Sequence, residues 1–302
     1  MKRVNWNVLF DYIAEGRGQG HLEQYRALIR ITRRNFPRRS NQIVGVLPTH
    51  ERRFDFLSRA EYLIALVWAW LGALDIREQF PLWPFAHGHP LNHWPLARLQ
   101  ARRAPALLDI ARDAGIDHGR YPGTRIPYIA TTDLVMTTGD PMAPTLLAVA
   151  CKPSSELKSA SHETRMLERL ELERRYFAAL GVTFRVADGG DLNPVLTANL
   201  QMLAPDKTSR ARLAALHDKQ AAEERLKRRL EAESIRDAVW ALASDLRLTM
   251  TQAWDLFHSL AWRGEIDIDL TRPLHASLPL TSGGRARRAA LRDTWMKGGR
   301  HA

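Results

Sequence analysis

Two short runs of apolar and β-branched residues lie close together in the middle of the chain and constrain its fold more than any other feature. They are 131–136 (Thr-Thr-Asp-Leu-Val-Met) and 146–152 (Leu-Leu-Ala-Val-Ala-Cys-Lys). The segment between them contains Gly139, Asp140 and Pro141, which are common turn residues. The sequence therefore predicts two antiparallel strands joined by a polar turn.

Two charged residues mark the ends of this predicted hairpin. Asp133 stands at the start of the first strand, and Lys152 ends the second. A carboxylate and a lysine at neighbouring strand ends can hold a divalent cation and an attacking water beside one phosphate, as in the D-(x)n-[DEQ]-x-K pattern of nucleases. That pattern places Glu, Asp or Gln two residues before the lysine, where this chain has Ala150. The alternative is an edge hairpin with two solvated charges.

The charge balance indicates a polyanionic partner. The 302 residues include 44 Lys and Arg against 33 Asp and Glu, a formal charge of +11. An anionic membrane is the rival partner, but no long basic amphipathic helix is present, so nucleic acid is favoured. The single cysteine excludes an internal disulfide, no signal peptide is recognised, and the apolar run 63–74 is too short to span a bilayer. We expect a cytoplasmic protein of two domains.

A buried helix and a strand are predicted before the hairpin. Ser58, followed three residues later by Glu61, is a helix-capping pattern, and apolar residues recur through 62–73. Glu61 has a sufficient role as a cap, yet a rigid helix end could also turn its carboxylate towards a metal. The segment 74–82 alternates and stops at Pro81, which predicts the first strand of the sheet.

A glycine-rich turn follows a short predicted helix at 6–14. It runs over 15–20 and carries Arg17, which is a candidate DNA-binding residue. Its backbone amides could cradle a phosphate, but no strand precedes it and the lysine of a P-loop is missing. A flexible connector is the alternative.

The hairpin is flanked by helical segments. Residues 84–125 resemble an insertion, with a helix predicted over 95–114. After the hairpin, a helix runs to Phe177, with Leu167, Leu170, Arg174 and Phe177 on one face and Glu168, Glu171 and Arg175 on another. Gly181 ends this helix, and 182–187 is a further strand. Together these elements predict an α/β domain over 1–205.

The remaining chain predicts a smaller domain over 206–282 and a tail over 283–302. A charged helix at 217–233, a helix at 235–246 capped by Ser234, a helix at 251–262 and an alternating strand at 265–270 outline a winged helix. Any small α+β packing module is the alternative. The tail is predicted to be a flexible basic arm whose Arg285, Arg287 and Arg288 contact DNA phosphates.

Five segments, in this order, resemble the TnsA-type endonucleases, the second nuclease subunit of heteromeric bacterial transposases. Each segment is weak by itself, but five in sequence order are fairly specific. The segments are Gly16 to Gly20, Leu57 to Glu61, Asp75 to Leu82, Thr131 to Asp133 and Leu170 to Phe177.

The resemblance implies a fold and an activity. The fold is α/β, a restriction-endonuclease-like (PD-(D/E)xK) mixed sheet flanked by helices and followed by a small winged-helix domain. The resemblance implies that Glu61, Asp133 and Lys152 are the catalytic residues. The cofactor is Mg²⁺, for which Mn²⁺ can substitute, held by Asp133, Glu61 and the Cys151 backbone carbonyl. Because Ala150 departs from the pattern, either this set suffices, or Glu171 joins it, or activity is low or lost.

The resemblance also implies partners. The family cuts the 5′ strands at transposon ends in the bacterial nucleoid, while a DDE transposase of the TnsB type cuts and joins the 3′ strands. An AAA+ ATPase of the TnsC type docks on the C-terminal region. Two other functions stay open: a stand-alone restriction or repair nuclease of the same fold, and a non-catalytic winged-helix adaptor that binds DNA or the ATPase.

Overall fold

The structure is a computed structural model that describes residues 5–32, 41–153 and 163–297, without the side chains of 163, 296 and 297. The chain divides into two compact units. The first comprises Met1–Gly45, Arg52–Trp68 and Gly72–Asp191, and the second comprises Val46–Glu51, Ala69–Leu71 and Leu192–Ala302. The main boundary therefore lies before residue 192, earlier than the predicted boundary at residue 205, and the basic C-terminal segment belongs to the second unit.

The first unit mixes helices and strands in the predicted order. Its helices are α1 (Trp6–Ala14), α2 (Arg59–Leu71, whose last turn is assigned to the second unit), α3 (Leu107–Ala114) and α4 (Glu163–Ala179). Its strands are β1 (Ile43–Gly45), β2 (Phe54–Phe56), β3 (Asp75–Leu82), β4 (His87–Gly88), β5 (Arg103–Ala104), β6 (Ala130–Asp140), β7 (Ala143–Cys151) and β8 (Thr183–Ala187).

A four-stranded mixed sheet is the centre of this unit. Its order is β3-β6-β7-β8, with antiparallel pairing except between β7 and β8, which are parallel. The predicted hairpin is confirmed as β6 and β7, with Leu134 opposite Val149 and Asp140 opposite Ala143 at the turn. The strands predicted at 74–82 and 182–187 are confirmed as β3 and β8. All eight residues of β3 are buried, although apolar and polar residues alternate along it.

Helix α2 begins at the predicted cap. The Ser58 hydroxyl accepts the Glu61 N–H at 3.2 Å and donates to Glu61 Oε1 at 3.0 Å, and the Leu57 N–H donates to Glu61 Oε2 at 2.9 Å. These bonds satisfy amide groups that have no partner within the helix. Glu61 thus caps the helix while its own carboxylate is held in one orientation.

Helix α4 covers the sheet with a different face from the one predicted. Leu172, Tyr176 and Phe177 pack into the core with Phe80 and Val135. Leu167, which was expected on the buried face, is half exposed. The buried stripe is therefore displaced around the helix from the predicted one, which changes which acidic residue points inwards.

The helix predicted over 95–114 is wrong in its first half. Only Leu107–Ala114 is helical, and Arg103–Ala104 pairs with His87–Gly88 as two short strands. Pro105 explains the late start, because its ring disfavours a helical conformation at Ala104 and removes one amide donor.

The second unit consists of helices. They are α5 (Pro194–Leu203), α6 (Lys207–Ala214), α7 (Lys219–Leu230), α8 (Ile235–Leu246), α9 (Met250–Arg263) and α10 (Gly284–Lys297). The predicted charged helix is confirmed as α7, and the predicted cap at Ser234 is confirmed by a hydrogen bond from the Asp237 N–H. Thr249 caps α9 in the same way through the Gln252 N–H. Leu226, Leu242 and Leu256 are fully buried and form part of its core.

The strand predicted at 265–270 is absent, and within the described residues 192–297 no β-strand occurs. Ile266, Ile268 and Leu270 are buried, so the alternation correctly identified one packed face. However, the Asp267 carboxylate accepts the backbone N–H groups of Gly283 and Arg285, and no strand lies alongside for pairing. A winged helix is therefore not confirmed.

The basic tail is not a flexible arm where the structure describes it. Residues Gly284–Lys297 form α10, and its arginines reach the end of α9. Arg285 donates to the carbonyls of Gly264 and Glu265, and Arg288 donates to the carbonyl of Arg263 at 2.9 Å. Guanidinium groups at a helix C-terminus satisfy its free carbonyls and oppose its negative end.

Arg288→Ala should therefore destabilise the second unit, whereas Arg287→Ala should not. Removing the Arg288 guanidinium leaves helix-end carbonyls without a hydrogen-bond donor. The free energy of unfolding should therefore fall by about 1–3 kcal/mol. The Arg287 side chain is exposed and makes no hydrogen bond or ion pair within the described part of the chain. Urea denaturation of both variants tests this, and an equal loss of stability would contradict the structural role of Arg288.

Candidate active site

Asp133 and Lys152 meet beside the edge of the hairpin. The Lys152 ammonium donates to Asp133 Oδ2 at 2.9 Å, and the Cys151 N–H donates to the same oxygen at 2.7 Å. Lys152 also donates to the Cys151 carbonyl at 3.1 Å. β6 supplies the carboxylate and the residue after β7 supplies the amine, so strand pairing alone brings them together from 19 positions apart. The residue pair predicted from the sequence thus forms one contact.

Glu61 approaches the same site from α2. It is buried, and the Gln79 side-chain amide donates to its Oε2 at 3.0 Å. Burial, and then the nearby Asp133 charge, raise the pKa of Glu61 to about 8. Capping and proximity to Asp133 therefore coexist, as the sequence left open.

Gln79 was missed by the sequence analysis. It lies between Glu78, which pairs with Leu134, and Phe80, which pairs with Thr132, so it is level with Asp133 across β3 and β6. Its φ of 48° is in the left-handed region, which is uncommon for a residue with a side chain and interrupts strand alternation. Such strained positions are concentrated at functional sites. Because strand alternation assumes extended φ values, no sequence pattern could reveal this one.

Ala150 lies on the other side of Asp133. The register of β6 and β7 places Leu134 opposite Val149, so the next pair towards the strand ends is Asp133 and Ala150. Ala150 is buried, and its methyl group offers no ligand. On the opposite side of Asp133, Gln79 of β3 places a polar amide level with it.

Glu173, rather than Glu171, faces the site. Glu171 lies on the surface of α4, where hydrogen bonds from Arg174 and then Arg175 lower its pKa to about 2. Glu173 is buried, and its Oε2 has no hydrogen-bond partner. Burial, and then the Asp133 charge, raise the pKa of Glu173 to about 8. The placement of Glu171 near a metal is thus corrected. Glu173 lies three residues after Leu170 and four before Phe177, so it shares their face of the helix. This spacing could have identified it from the sequence.

Lys152 is the positive group of this cluster. Burial alone would lower its pKa, but the charge of Asp133 and their hydrogen bond outweigh burial, so the pKa of Lys152 is raised. The ammonium is therefore protonated at neutral pH. Three carboxyl groups, Glu61, Asp133 and Glu173, then surround one cation.

As the side chains stand, no group of three or more His, Cys, Asp or Glu residues is arranged to hold a metal ion anywhere in the described ranges. The carboxylate oxygens of Glu61 are occupied by Ser58, Leu57 and Gln79, and Asp133 Oδ2 by Lys152. The donor set nevertheless fits a divalent cation, because a cation would favour the ionised forms of Glu61 and Glu173, whose pKa is about 8 without it. Three ionised carboxyl groups and one ammonium would then carry a net charge of about −2, which a divalent cation balances. The unpartnered Oε2 of Glu173 is a further free oxygen ligand.

The arginines predicted to bind DNA lie in different environments. Arg17 pairs with Glu15 at 2.7 Å and stacks over the Tyr12 ring, which gives it a structural role in the glycine-rich turn. Arg285 and Arg288 bond to helix-end carbonyls, and Arg287 is exposed. Their contacts with DNA stay predictions.

A four-stranded mixed sheet flanked by helices, with an Asp–Lys pair at adjoining strand ends, defines the restriction-endonuclease-like class. Residues 74–189 match the family described as "TnsA-like endonuclease N terminal". The chain is also 30% identical over 200 residues to the "Transposon Tn7 transposition protein TnsA" of Escherichia coli. That alignment covers 65% of this chain and 62% of the relative, so the chain matches less than two thirds of the relative's length. Residues 74–189 are thus similar to a TnsA-like endonuclease domain, and the resemblance seen in the sequence is confirmed.

The matched segment contains the whole four-stranded sheet and includes Gln79, Asp133, Lys152 and Glu173, while Glu61 precedes it. Within the described residues, no helix combines the length and the apolar character needed to cross a membrane.

Proposed function

We propose that this protein is a Mg²⁺-dependent DNA endonuclease that cleaves the 5′, non-transferred strands at transposon ends. The observation that carries the proposal is the contact between Asp133 and Lys152, with Glu61 and Glu173 beside it, within a TnsA-like domain. A net charge of +11 suits a DNA substrate. In this proposal the protein acts in the bacterial nucleoid with a DDE transposase (TnsB-like) and an AAA+ regulator (TnsC-like).

Lys152 serves as a cation in this proposal. Since its pKa is raised, it is protonated at neutral pH and cannot accept a proton from water. Its ammonium instead donates to a phosphate oxygen and offsets the charge that develops on the phosphate during cleavage. Asp133 positions this ammonium through the 2.9 Å contact, and the Cys151 N–H fixes Asp133 in turn.

Asp133, Glu61, Glu173 and the Cys151 carbonyl would hold the Mg²⁺, for which Mn²⁺ can substitute. When bound, the ion supplies positive charge that polarises the phosphate and lowers the pKa of a bound water. Gln79 holds Glu61 in place through its amide. With a divalent charge beside them, Glu61 and Glu173 would ionise more readily, because that charge would offset the burial and the Asp133 charge that raise their pKa.

Strand-specific cleavage of transposon-end DNA tests the proposal. The full chain is combined with the DDE transposase and the AAA+ ATPase in Mg²⁺, and each DNA strand carries a separate label. Cuts at the 5′ strands that require this chain support the proposal. Cleavage by this chain alone would instead indicate a stand-alone restriction or repair nuclease of the same fold.

Ala150 favours one other function, a non-catalytic adaptor, because the position next to Asp133 lacks a ligand. An adaptor would bind DNA or the ATPase and leave both 5′ strands intact. Assembly of the complex on DNA without any 5′ cut would support the adaptor.

Gln79→Ala should lower 5′ cleavage about fivefold without abolishing it. The substitution removes one hydrogen bond that positions the buried Glu61 carboxylate. We expect its loss to raise the activation free energy of cleavage by about 1 kcal/mol. Cleavage rates at saturating Mg²⁺ measure the effect. Gln79→Glu removes the same amide donor but adds a negative charge that attracts the cation, so it should need less Mg²⁺ for half-maximal rate. Wild-type rates in both variants would show that Gln79 only packs.

A further inference from the structure

Arg169 differs from the other arginines of α4. Arg165, Arg174 and Arg175 each pair with a glutamate of the same helix at 3.0 Å or less. The Arg169 side chain is exposed, and it makes no hydrogen bond or ion pair within the described part of the chain. Most arginines are exposed, so the place of Arg169 on the helix decides whether it has a role.

Arg169 lies on the face of α4 that packs against the sheet. Successive residues of a helix are rotated by about 100° around its axis. By this rotation Arg169 falls between Tyr176 and Glu173, which are both buried. Tyr176 packs into the core of the first unit, so this line of residues is the inward one. An exposed arginine on that line shows that the inward face of α4 is open to solvent at the turn containing Arg169.

The topology explains why this turn is open. β7 and β8 are parallel and α4 lies between them in the chain, so the helix runs in the opposite direction to both strands. Its N-terminal turns therefore lie at the end of the sheet where β7 and β8 finish, at Cys151 and Ala187. Arg169 precedes Glu173 by four residues, which is about 6 Å along the helix axis in that direction. Lys152 directly follows β7, so Arg169 lies at the same end of the sheet as the proposed cleavage site.

The electrostatics of the site agree with this placement. Burial, and then the Asp133 charge, raise the pKa of Glu173, and the charges of Lys152 and Arg169 oppose that rise. Arg169 is thus close enough to Glu173 to favour its ionised form, although Glu173 Oε2 has no hydrogen-bond partner. Within the described residues, the Arg169 guanidinium therefore keeps its donors free beside the same carboxyl group on which Lys152 acts.

We propose that Arg169 binds a phosphate of the cleaved strand directly next to the scissile phosphate. This inference rests on the proposed function, because it takes the scissile phosphate to be the one that Lys152 contacts. A free guanidinium presents paired N–H donors that match the oxygens of a phosphate. Contacts of this kind position DNA without reading its sequence. Arg169 is therefore a positioning residue that holds the cleaved strand over Lys152 and takes no part in the reaction.

Binding of transposon-end DNA by the full chain over a range of salt concentrations tests the contact without cleavage. No divalent cation is added. Each phosphate contact releases counterions, so Arg169→Ala should reduce the slope of log affinity against log salt by about 0.9. Its affinity at low salt should fall about tenfold. Arg169→Lys keeps the positive charge and should retain the wild-type slope. An unchanged slope in Arg169→Ala overturns the proposal, whether or not the protein cuts DNA.

Arg174→Ala is the matched control. It also removes one positive charge from α4, but Arg174 lies on the outer face, where it pairs with Glu171. Its salt slope should equal that of wild type. Equal losses of slope in Arg174→Ala and Arg169→Ala would show that net charge alone matters, which contradicts a specific contact. Both side chains are exposed, so urea denaturation of each variant should stay close to that of wild type, which separates lost binding from lost folding.

Single uncharged phosphates locate the contact. In the assembled complex with Mg²⁺, each phosphate around the cut is replaced in turn by a neutral methylphosphonate. Replacement directly next to the scissile phosphate should raise the DNA concentration for half-maximal cleavage about tenfold for wild type, with the maximal rate little changed. The same replacement should have no further effect in Arg169→Ala, because that variant has already lost the contact. An effect of wild-type size in Arg169→Ala would contradict the proposed contact.

The role of Arg169 and the proposed cleavage function can fail separately. If wild type cuts neither 5′ strand but Arg169→Ala alone loses salt slope, the nuclease proposal fails and a phosphate contact of Arg169 remains. If wild type cuts the 5′ strands while Arg169→Ala keeps both the wild-type slope and the wild-type half-maximal DNA concentration, the nuclease proposal holds and the role of Arg169 is overturned.

Discussion

Asp133→Ala and Lys152→Ala should each reduce 5′-strand cleavage by at least about a hundredfold while leaving DNA binding and assembly intact. Each substitution removes one member of the 2.9 Å pair. Loss of Lys152 leaves the charge that develops on the phosphate without its cationic donor, and loss of a single such group typically costs two to three orders of magnitude. Strand-specific cleavage in the assembled complex measures the effect.

Two further variants show whether charge or shape is lost. Asp133→Asn keeps an oxygen that can accept the Cys151 N–H but removes the charge opposite Lys152, so it should cut as poorly as Asp133→Ala. Glu171→Gln is the matched control, because Glu171 is an acidic residue on the outer face of α4 and should not affect cleavage. If Asp133→Ala and Lys152→Ala retain wild-type cleavage, the protein's nuclease site is elsewhere. If neither they nor the wild type cut while the complex assembles, the adaptor function is favoured.

The parts of the fold that local sequence determines were predictable. Ser58 and Glu61 lie three residues apart, and the turn at 139–141 joins two β-rich runs, so the α2 cap and the β6–β7 hairpin required no long-range information. Asp133 and Lys152 could be paired in advance because an antiparallel hairpin fixes which strand ends meet. The family motifs then associated Glu61 with that pair.

The errors arose where partners distant in sequence decide the outcome. The segment 265–270 alternates like a strand, yet its backbone has no ladder partner, since Asp267 bonds instead to the start of α10. The tail reads as a basic arm, but carbonyls at the end of α9 bind Arg285 and Arg288. Charge composition alone cannot distinguish an arginine that caps a helix from one that binds phosphate.

The choice between Glu171 and Glu173 turned on helix rotation. The two residues lie two positions apart, which is about 200° around a helix, so only one can face the sheet. Leu167 suggested the wrong stripe, whereas Leu170 and Phe177 together indicate the face that includes Glu173. Gln79 could not be found in this way, because its left-handed backbone depends on packing around β3.

Glu173→Gln should make the protein more stable at alkaline pH and, at the same time, inactive. The pKa of Glu173 is raised from an ordinary 4.5 to about 8 by burial and then by Asp133. Between pH 4.5 and 8 the folded chain keeps a proton on Glu173 that the unfolded chain releases. The stability that this protonated carboxyl contributes is therefore complete below about pH 4.5 and is lost as the pH rises through about 8. Glutamine cannot ionise. At about pH 8.5 without divalent cations, the free energy of unfolding of the variant should therefore be about 1–2 kcal/mol higher than that of wild type. Denaturation at about pH 6 and 8.5 measures the difference.

If Glu173 is a ligand, Mg²⁺ should make wild type more stable than Glu173→Gln. A cation that binds only the folded state stabilises it by mass action, so wild type should gain stability from Mg²⁺ at about pH 8.5 and Glu173→Gln should gain much less. Glu171→Gln, on the same helix, should keep both the pH dependence and the Mg²⁺ response of wild type, because the pKa of Glu171 is already low, near 2. A Glu173→Gln variant that cuts DNA normally and responds fully to Mg²⁺ would show that the buried carboxyl belongs to the core alone. A variant that is more stable but inactive would show that the protein tolerates a costly buried charge because the cleavage site requires it.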